Sequence, residues 1–135
     1  MPIYRKQAQG FTRDGRYRLG QILLDARMRQ DEGHGLSLDD FVELVNDHWG
    51  TQVFVKNKLW RLENGAVMKP KTEDIAYLAP FTWSESALRP YTVEELIAIA
   101  KEQLDPADVG QVEPPKLNAP IKGNNQKVPK LTTDS

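Results

Sequence analysis

The chain of 135 residues contains no cysteine. That excludes disulfides and thiolate metal sites, and it fits a reducing cytoplasm. Histidine is scarce as well. His34 and His48 stand apart, and two isolated imidazoles do not make a zinc site of the usual kind. Neither a metal nor a cofactor is expected. There is no run of eighteen apolar residues, so no membrane-spanning helix is expected. The charged N-terminus lacks a following apolar segment, so no secretion signal is expected. Catalytic signatures are missing too: no Gly-x-Ser-x-Gly, no phosphate-cradling glycine loop, no histidine cluster. The adjacent acids Asp39-Asp40 and Glu94-Glu95 sit where helices should begin, which explains them without chemistry. No catalytic residue is assigned, and a binding protein rather than an enzyme is expected. Aromatic residues are absent from 105–135, where five prolines lie among Asn, Lys and Gly. Such a composition does not bury enough surface to fold alone, and a disordered tail is expected.

Charge is nearly balanced, with 18 Lys and Arg against 19 Asp and Glu, but it is not evenly spread. Residues 1–30 hold seven bases and two acids, and residues 31–50 hold six acids and no Lys or Arg. Residues 51–71 return to five bases against Glu63, and residues 72–110 hold eight acids against two bases. Nucleic-acid binding depends on a basic face more than on net charge.

The stretch from Val55 to Gly65 is the most informative. Val55, Leu59 and Leu62 recur at spacings of four and three and so share one side of a helix. Lys56, Asn57, Arg61 and Asn64 fall largely on the other side. Asn64-Gly65 is a helix stop, because glycine accepts the left-handed conformation of a helix C-terminus. The outward residues are the types that read base edges, Asn for adenine and Arg for guanine. Phe54 and Trp60 also fall near this polar side. They touch thymine methyls or sugars, pack under the preceding turn, or form a protein-contact patch.

Taken in order, residues 1–16 read as a basic arm, since Arg13-Asp14-Gly15-Arg16 lacks helical period and Asp-Gly marks a turn. A first helix is expected over Tyr17–Gln30, with Leu19, Ile22, Leu23 and Ala26 as its stripe. His34 belongs to a glycine-broken loop. Ser37 caps a second helix with Leu38, Phe41, Val42 and Val45 inside, and Asp40 standing in for the usual Glu of a capping box. Trp49 is expected in the core. Thr51 is a cap for a third helix over Gln52–Asn64, with an extended start at 51–55 as the alternative. Lys69 and Lys71 follow in a loop, and Thr72 caps a fourth helix that Pro80 ends. Thr92-x-x-Glu95 is a capping box for a fifth helix over residues 93–104. Its wide apolar stripe either covers the core, which is the expectation, or makes a dimer seam. A folded unit over 17–104 follows.

Leu59-Trp-Arg-Leu-Glu-Asn-Gly65, then Lys69-Pro70, then Thr72-Glu-Asp-Ile-Ala-Tyr-Leu resembles the end of the phage-repressor and Cro-like helix-turn-helix fold of the XRE family. Gly35-Leu-Ser37 resembles that family's entry to the first helix of the motif. The likeness runs from about Leu19 to Phe81, with a longer connection between the motif's helices than the family carries and Leu38 where the family often has Gln. It implies an all-α, five-helix Cro/repressor-like domain with a basic N-terminal arm and a disordered C-terminal tail. It implies a sequence-specific regulator that binds double-stranded DNA through a major-groove helix, at the nucleoid of the cytoplasm. Lys56, Asn57 and Arg61 match positions with base contacts. Lys58, Asn64, Lys69 and Lys71 are assigned to the DNA backbone. An Arg of the first helix pairs with the Glu of the Leu-Glu-x-Gly end, here Arg27 with Glu63, with Arg29 as the alternative. A homodimer is compatible with this reading. The alternative is a protein-interaction module on the same frame, antitoxin-like, that uses Phe54, Trp60 and the fifth helix.

Overall fold

The computed structural model describes residues 10–111. These form an all-α unit of five helices and two 3₁₀ turns: α1 (Arg13–Met28), α2 (Leu38–Trp49), α3 (Lys56–Glu63), α4 (Thr72–Leu78) and α5 (Val93–Ala100), with 3₁₀ turns at Ala79–Phe81 and Pro106–Asp108. Among the described residues there is no strand, and a lone antiparallel bridge joins Ser84 to Arg89. None of these helices is long and apolar enough to cross a membrane.

Helix α1 starts a turn earlier than the sequence pattern suggests, so residues 13–16 belong to the helix and not to an arm. Thr12 is the cap, and its Oγ1 accepts from the Gly15 amide at 2.9 Å. Asp14 then lies in the first turn, where a negative charge suits the helix dipole. The Asp-Gly pair that reads as a turn has another cause. A Cβ at Gly15 would overlap the carbonyl of Ala100, the last residue of α5. Gly15 is there to let two helices touch. Residues 1–9 of the expected arm lie outside the described residues.

Helix α2 is capped by Ser37, whose Oγ accepts from the Asp40 amide at 3.1 Å. Phe41 and Val45 are its buried residues, while Leu38 and Val42 are half-buried. The connection that follows is not helical, and Val55 at its end is extended, so the helix does not start at Gln52. Asn46 fixes it. Its Oδ1 accepts from the amides of Val53 at 2.8 Å and Phe54 at 2.9 Å, and its Nδ2 donates to the Phe54 carbonyl at 3.1 Å. Thr51 therefore caps nothing, and α3 begins at Lys56 with Val55 as a cap residue that makes no side-chain bond. This reverses two expected positions. Phe54 is 2% exposed and belongs to the core, so it is no part of a contact patch. Val55, expected on the buried edge, is 48% exposed.

Helix α4 begins at Thr72 itself, with Lys71 in the cap position. Trp49 is more exposed than expected. Its indole N–H donates to the Tyr77 carbonyl at 2.9 Å, which ties the end of α2 to α4. Helix α5 is the central element. Leu96, Ile97, Ala98, Ile99 and Ala100 are all buried, so its stripe serves the core. Its start is a full capping box: the Thr92 amide donates to Glu95 Oε1 at 2.9 Å and the Glu95 amide to Thr92 Oγ1 at 3.1 Å. Arg89 adds a two-pronged bond to the same carboxylate, at 2.9 and 2.7 Å. The helix stops at Ala100, short of the expected Leu104.

The tail boundary also moves. Leu104 and Val109 are buried, and Ser86 Oγ lies 3.1 Å from the Pro106 carbonyl and 2.7 Å from that of Val109. Residues 105–111 thus pack on the domain, and the remainder of the expected tail lies outside the described residues. A Val109→Ala substitution should cost about 2 kcal/mol by emptying a closed site. In a domain of this size that lowers the melting temperature by on the order of 10 °C. A chain ending at Leu104 should lose at least as much, and thermal denaturation checks both.

Glu95 supplies a pH dependence. Arg89's hydrogen bonds hold its carboxyl below the usual carboxylate range; burial pushes it up, and the Thr92 amide again lowers it. A depressed folded value stabilises the fold above the unfolded value, and that contribution is lost as pH falls through the folded one. Glu95→Gln should therefore melt well below wild type at pH 7. The gap should narrow below about pH 4, as read by melting curves across pH.

Candidate functional site

Helix α3 has eight residues and lies at the surface, with one edge held from three sides. Against α1, the approach is backbone to backbone: a Cβ at Gly20 would overlap the Glu63 carbonyl. The second hold is the pair of Arg27 and Glu63. Arg27 Nε lies 2.9 Å from Glu63 Oε2 and Nη2 lies 3.0 Å from Oε1, while Nη1 donates to the Leu36 carbonyl at 2.8 Å. One guanidinium therefore joins α1, the end of α3 and the loop that leads into α2. Both side chains are largely shielded, 16% and 5% exposed. Arg29 is turned elsewhere and lies 3.3 Å from Glu85. The third hold is Lys58. Its Nζ is 3.0 Å from the buried carboxylate of Asp74 on α4 and 5.1 Å from the Phe54 ring centroid. Lys58, expected at the DNA backbone, is half-exposed and already paired with Asp74, so it braces α3 against α4.

The opposite face points outward. Lys56, Asn57, Trp60, Arg61 and Asn64 are all exposed. Asn57, Trp60, Arg61 and Asn64 stand at i, i+3, i+4 and i+7, so they form one continuous stripe. Their present partners differ. Lys56 Nζ is 3.6 Å from Asp39 Oδ2 on α2, with both side chains well exposed. Such pairs contribute little. Asn64 Nδ2 donates to the Trp60 carbonyl at 2.8 Å, leaving its oxygen outward. Asn57 and Arg61 make no side-chain hydrogen bond or ion pair with any described residue. Trp60 is 48% exposed and forms, with Leu38, Lys56 and Asn57, an open notch of about 450 Å³.

Gly65, at φ 69°, ends α3 and turns the chain away from this face. Lys69 and Lys71 follow and are exposed. On the other flank, Arg13, Arg16 and Tyr17 at the start of α1 share a second cleft with Asn64 and Gly65. Arg16 Nε donates to the Gly65 carbonyl at 3.2 Å. The sequence pattern did not connect these arginines with α3. The signal was present as the Thr12 cap, which starts α1 early enough to bring them there.

Asp39 borders the stripe through Lys56, and Asp40, Glu43 and Asp47 are also exposed on α2. No group of three or more acidic, His or Cys side chains able to hold a metal occurs among the described residues. His34 is an exposed loop residue. The site is thus an exposed stripe of amide, guanidinium and indole groups on a helix held from its other edge.

No protein-family model, curated protein or solved structure matches this chain.

Removing either partner of the Arg27–Glu63 pair should cost on the order of 3 kcal/mol, because the survivor is left shielded and unpaired. Gly20→Ala should cost about 1–3 kcal/mol by forcing α1 off α3. Chemical denaturation measures both, and wild-type stability for either variant would contradict the geometry.

Proposed function

We propose that this chain is a sequence-specific regulator that binds double-stranded DNA and reads base edges with α3. One observation carries the reading. Asn57 and Arg61 stand exposed and unengaged, side by side, on a helix whose other edge is pinned to α1 and α4. An amide and a guanidinium are the groups that pair with adenine and guanine in the major groove. Held on a fixed helix, their backbone is already ordered, so only side-chain freedom is lost on binding. The order α2, extended turn, α3 supports a helix-turn-helix of the Cro/repressor-like kind, with the leading half of α3 entering the groove. The likeness of the Leu-Glu-Asn-Gly end to the XRE family agrees with this. Lys56 borders both base and phosphate, and Asn64, Lys69 and Lys71 with Arg13 and Arg16 supply the backbone contacts. The setting proposed is the nucleoid of a reducing cytoplasm.

Asn57→Ala or Arg61→Ala should cost about 1–3 kcal/mol on the preferred duplex and flatten the preference between duplexes. Lys69→Ala should weaken all duplexes alike and lower the salt slope by about one unit. Lys58→Ala should act differently. It strands the Asp74 carboxylate and should cost about 1–2 kcal/mol of stability, between the values for exposed and buried pairs. Selection from random duplex DNA followed by titration of each variant tests this. If no motif is enriched, and Asn57→Ala and Arg61→Ala bind as wild type does, the DNA reading is wrong.

The exposed acids of α2 favour a second reading, a protein-interaction module, since they would repel phosphate beside the stripe. In that case Trp60→Ala abolishes capture of a protein partner, and no duplex binds above the non-specific level at physiological salt.

A further inference from the structure

We infer that the notch between Leu38 and Trp60 receives the C5-methyl of a thymine, placed one or two base pairs from the base that Asn57 reads. The inference rests on the DNA reading above and adds a base to it. Its walls are the half-buried Leu38 side chain at the start of α2 and the exposed indole of Trp60 on α3. The rim carries the free amide of Asn57 and the ammonium of Lys56. An apolar floor with a hydrogen-bonding and cationic rim matches the thymine edge in the major groove. There a methyl projects beside a carbonyl acceptor, and the phosphates run along the outside. Leu38 itself cannot hydrogen-bond a base, so the specificity it offers is apolar.

The spacing follows from the two helices. Asn57 and Trp60 are three residues apart, about 4.5 Å along the helix axis. Successive bases on a strand are about 3.4 Å apart. A base touched by Trp60 therefore lies one or two steps from the one bonded by Asn57. Arg61 follows Trp60 by one residue on the same stripe, so the guanine assigned to it lies close by. The edge read by α3 thus carries an adenine, a thymine and a guanine within a few steps.

The test uses the full chain and the duplex that selection delivers. Each thymine is replaced in turn by deoxyuridine, which removes only the methyl. Binding should weaken at one thymine per recognition site by about fourfold, the worth of one buried methyl-sized group. Trp60→Ala should bind the thymine and uracil duplexes equally at that position while still losing affinity when the adenine or guanine is changed. Its melting temperature should stay near that of wild type, since the indole is exposed, and Trp60→Leu should keep part of the discrimination. If specific binding needs Asn57 and Arg61 but every uracil duplex binds as tightly as its parent, the methyl assignment is wrong and the DNA reading stands. If no duplex is selected at all, both fall. Self-association of the chain that Trp60→Ala abolishes would give the notch to a second copy, and would also overturn the assignment.

Discussion

The bidentate pair of Arg27 with Glu63 is the constraint on which the arrangement of α1, α2 and α3 depends. Helix α3 is too short to be stable on its own, since isolated helices below about 12–15 residues are marginal in water. It also lacks a side-chain cap at its start. Its shape is therefore imposed by what it touches. Leu59 and Leu62 give it burial, but apolar contact alone leaves rotation and sliding open. The guanidinium removes those freedoms. It engages both oxygens of Glu63 and a carbonyl of the loop before α2, so a turn of α3 about its own axis breaks directional bonds. Gly20 sets the depth of the same contact, because any larger residue holds the helices apart. The outward stripe has a definite direction only because these inner contacts exist.

The other end of α3 is positioned by Asn46. A side-chain amide normally competes with helix hydrogen bonds, and near a C-terminus that tendency becomes useful. Asn46 bonds three backbone groups of the extended segment and so holds it as a neighbouring strand would. This lets Phe54 turn inward beneath Lys58, whose ammonium sits over its ring and reaches Asp74. The longer connection between α2 and α3 thus does not leave α3 loose. Lys58 is the clearest consequence: a half-exposed lysine in a basic stretch is paired with a buried carboxylate, and the outward stripe is made by its neighbours.

Much of this was legible in the sequence, and the errors have local causes. The all-α class, the five helices, the Ser37 and Thr92 caps, the stop at Gly65 and the pairing of Arg27 with Glu63 all follow from spacing, from capping chemistry or from the family likeness. The start of α1 is not legible locally, because Asp-Gly signals a turn in isolation and the distant Ala100 carbonyl is what explains Gly15. Phe54 and Val55 were exchanged between inside and outside because the helix was begun too early. A residue in extended geometry does not obey a helical wheel. Val109 was assigned to the tail because composition describes a segment's average, and one valine seated over Ser86 escapes an average. The outward placement of Lys56, Asn57, Arg61 and Asn64 was read from periodicity. The cleft that adds Arg13 and Arg16 depends on contacts across 49 residues of chain and was not.

The charge distribution limits how such a stripe can bind a polyanion. Among the described residues, Lys58 is engaged by Asp74 and Lys56 stands beside Asp39, which leaves Lys69, Lys71, Arg13 and Arg16 to meet phosphate. Asp39 is the α2 acid placed against the stripe, and the other exposed acids of α2 follow along the same helix. Interactions of exposed charges fade over about 8 Å at physiological ionic strength, so distant bases do not offset them. For the proposed DNA reader, the phosphate contribution is therefore weakened on the α2 side and comes chiefly from the flanks of α3. Recognition then rests on groups that gain only when the right base edge is opposite them. An amide, a guanidinium and an apolar notch meet that requirement, because a mismatched base leaves them unpaired or unfilled. Asp39 beside Lys56 lowers binding to every duplex alike. An equal penalty leaves the ratio between duplexes unchanged, so discrimination rests on Asn57 and Arg61 themselves.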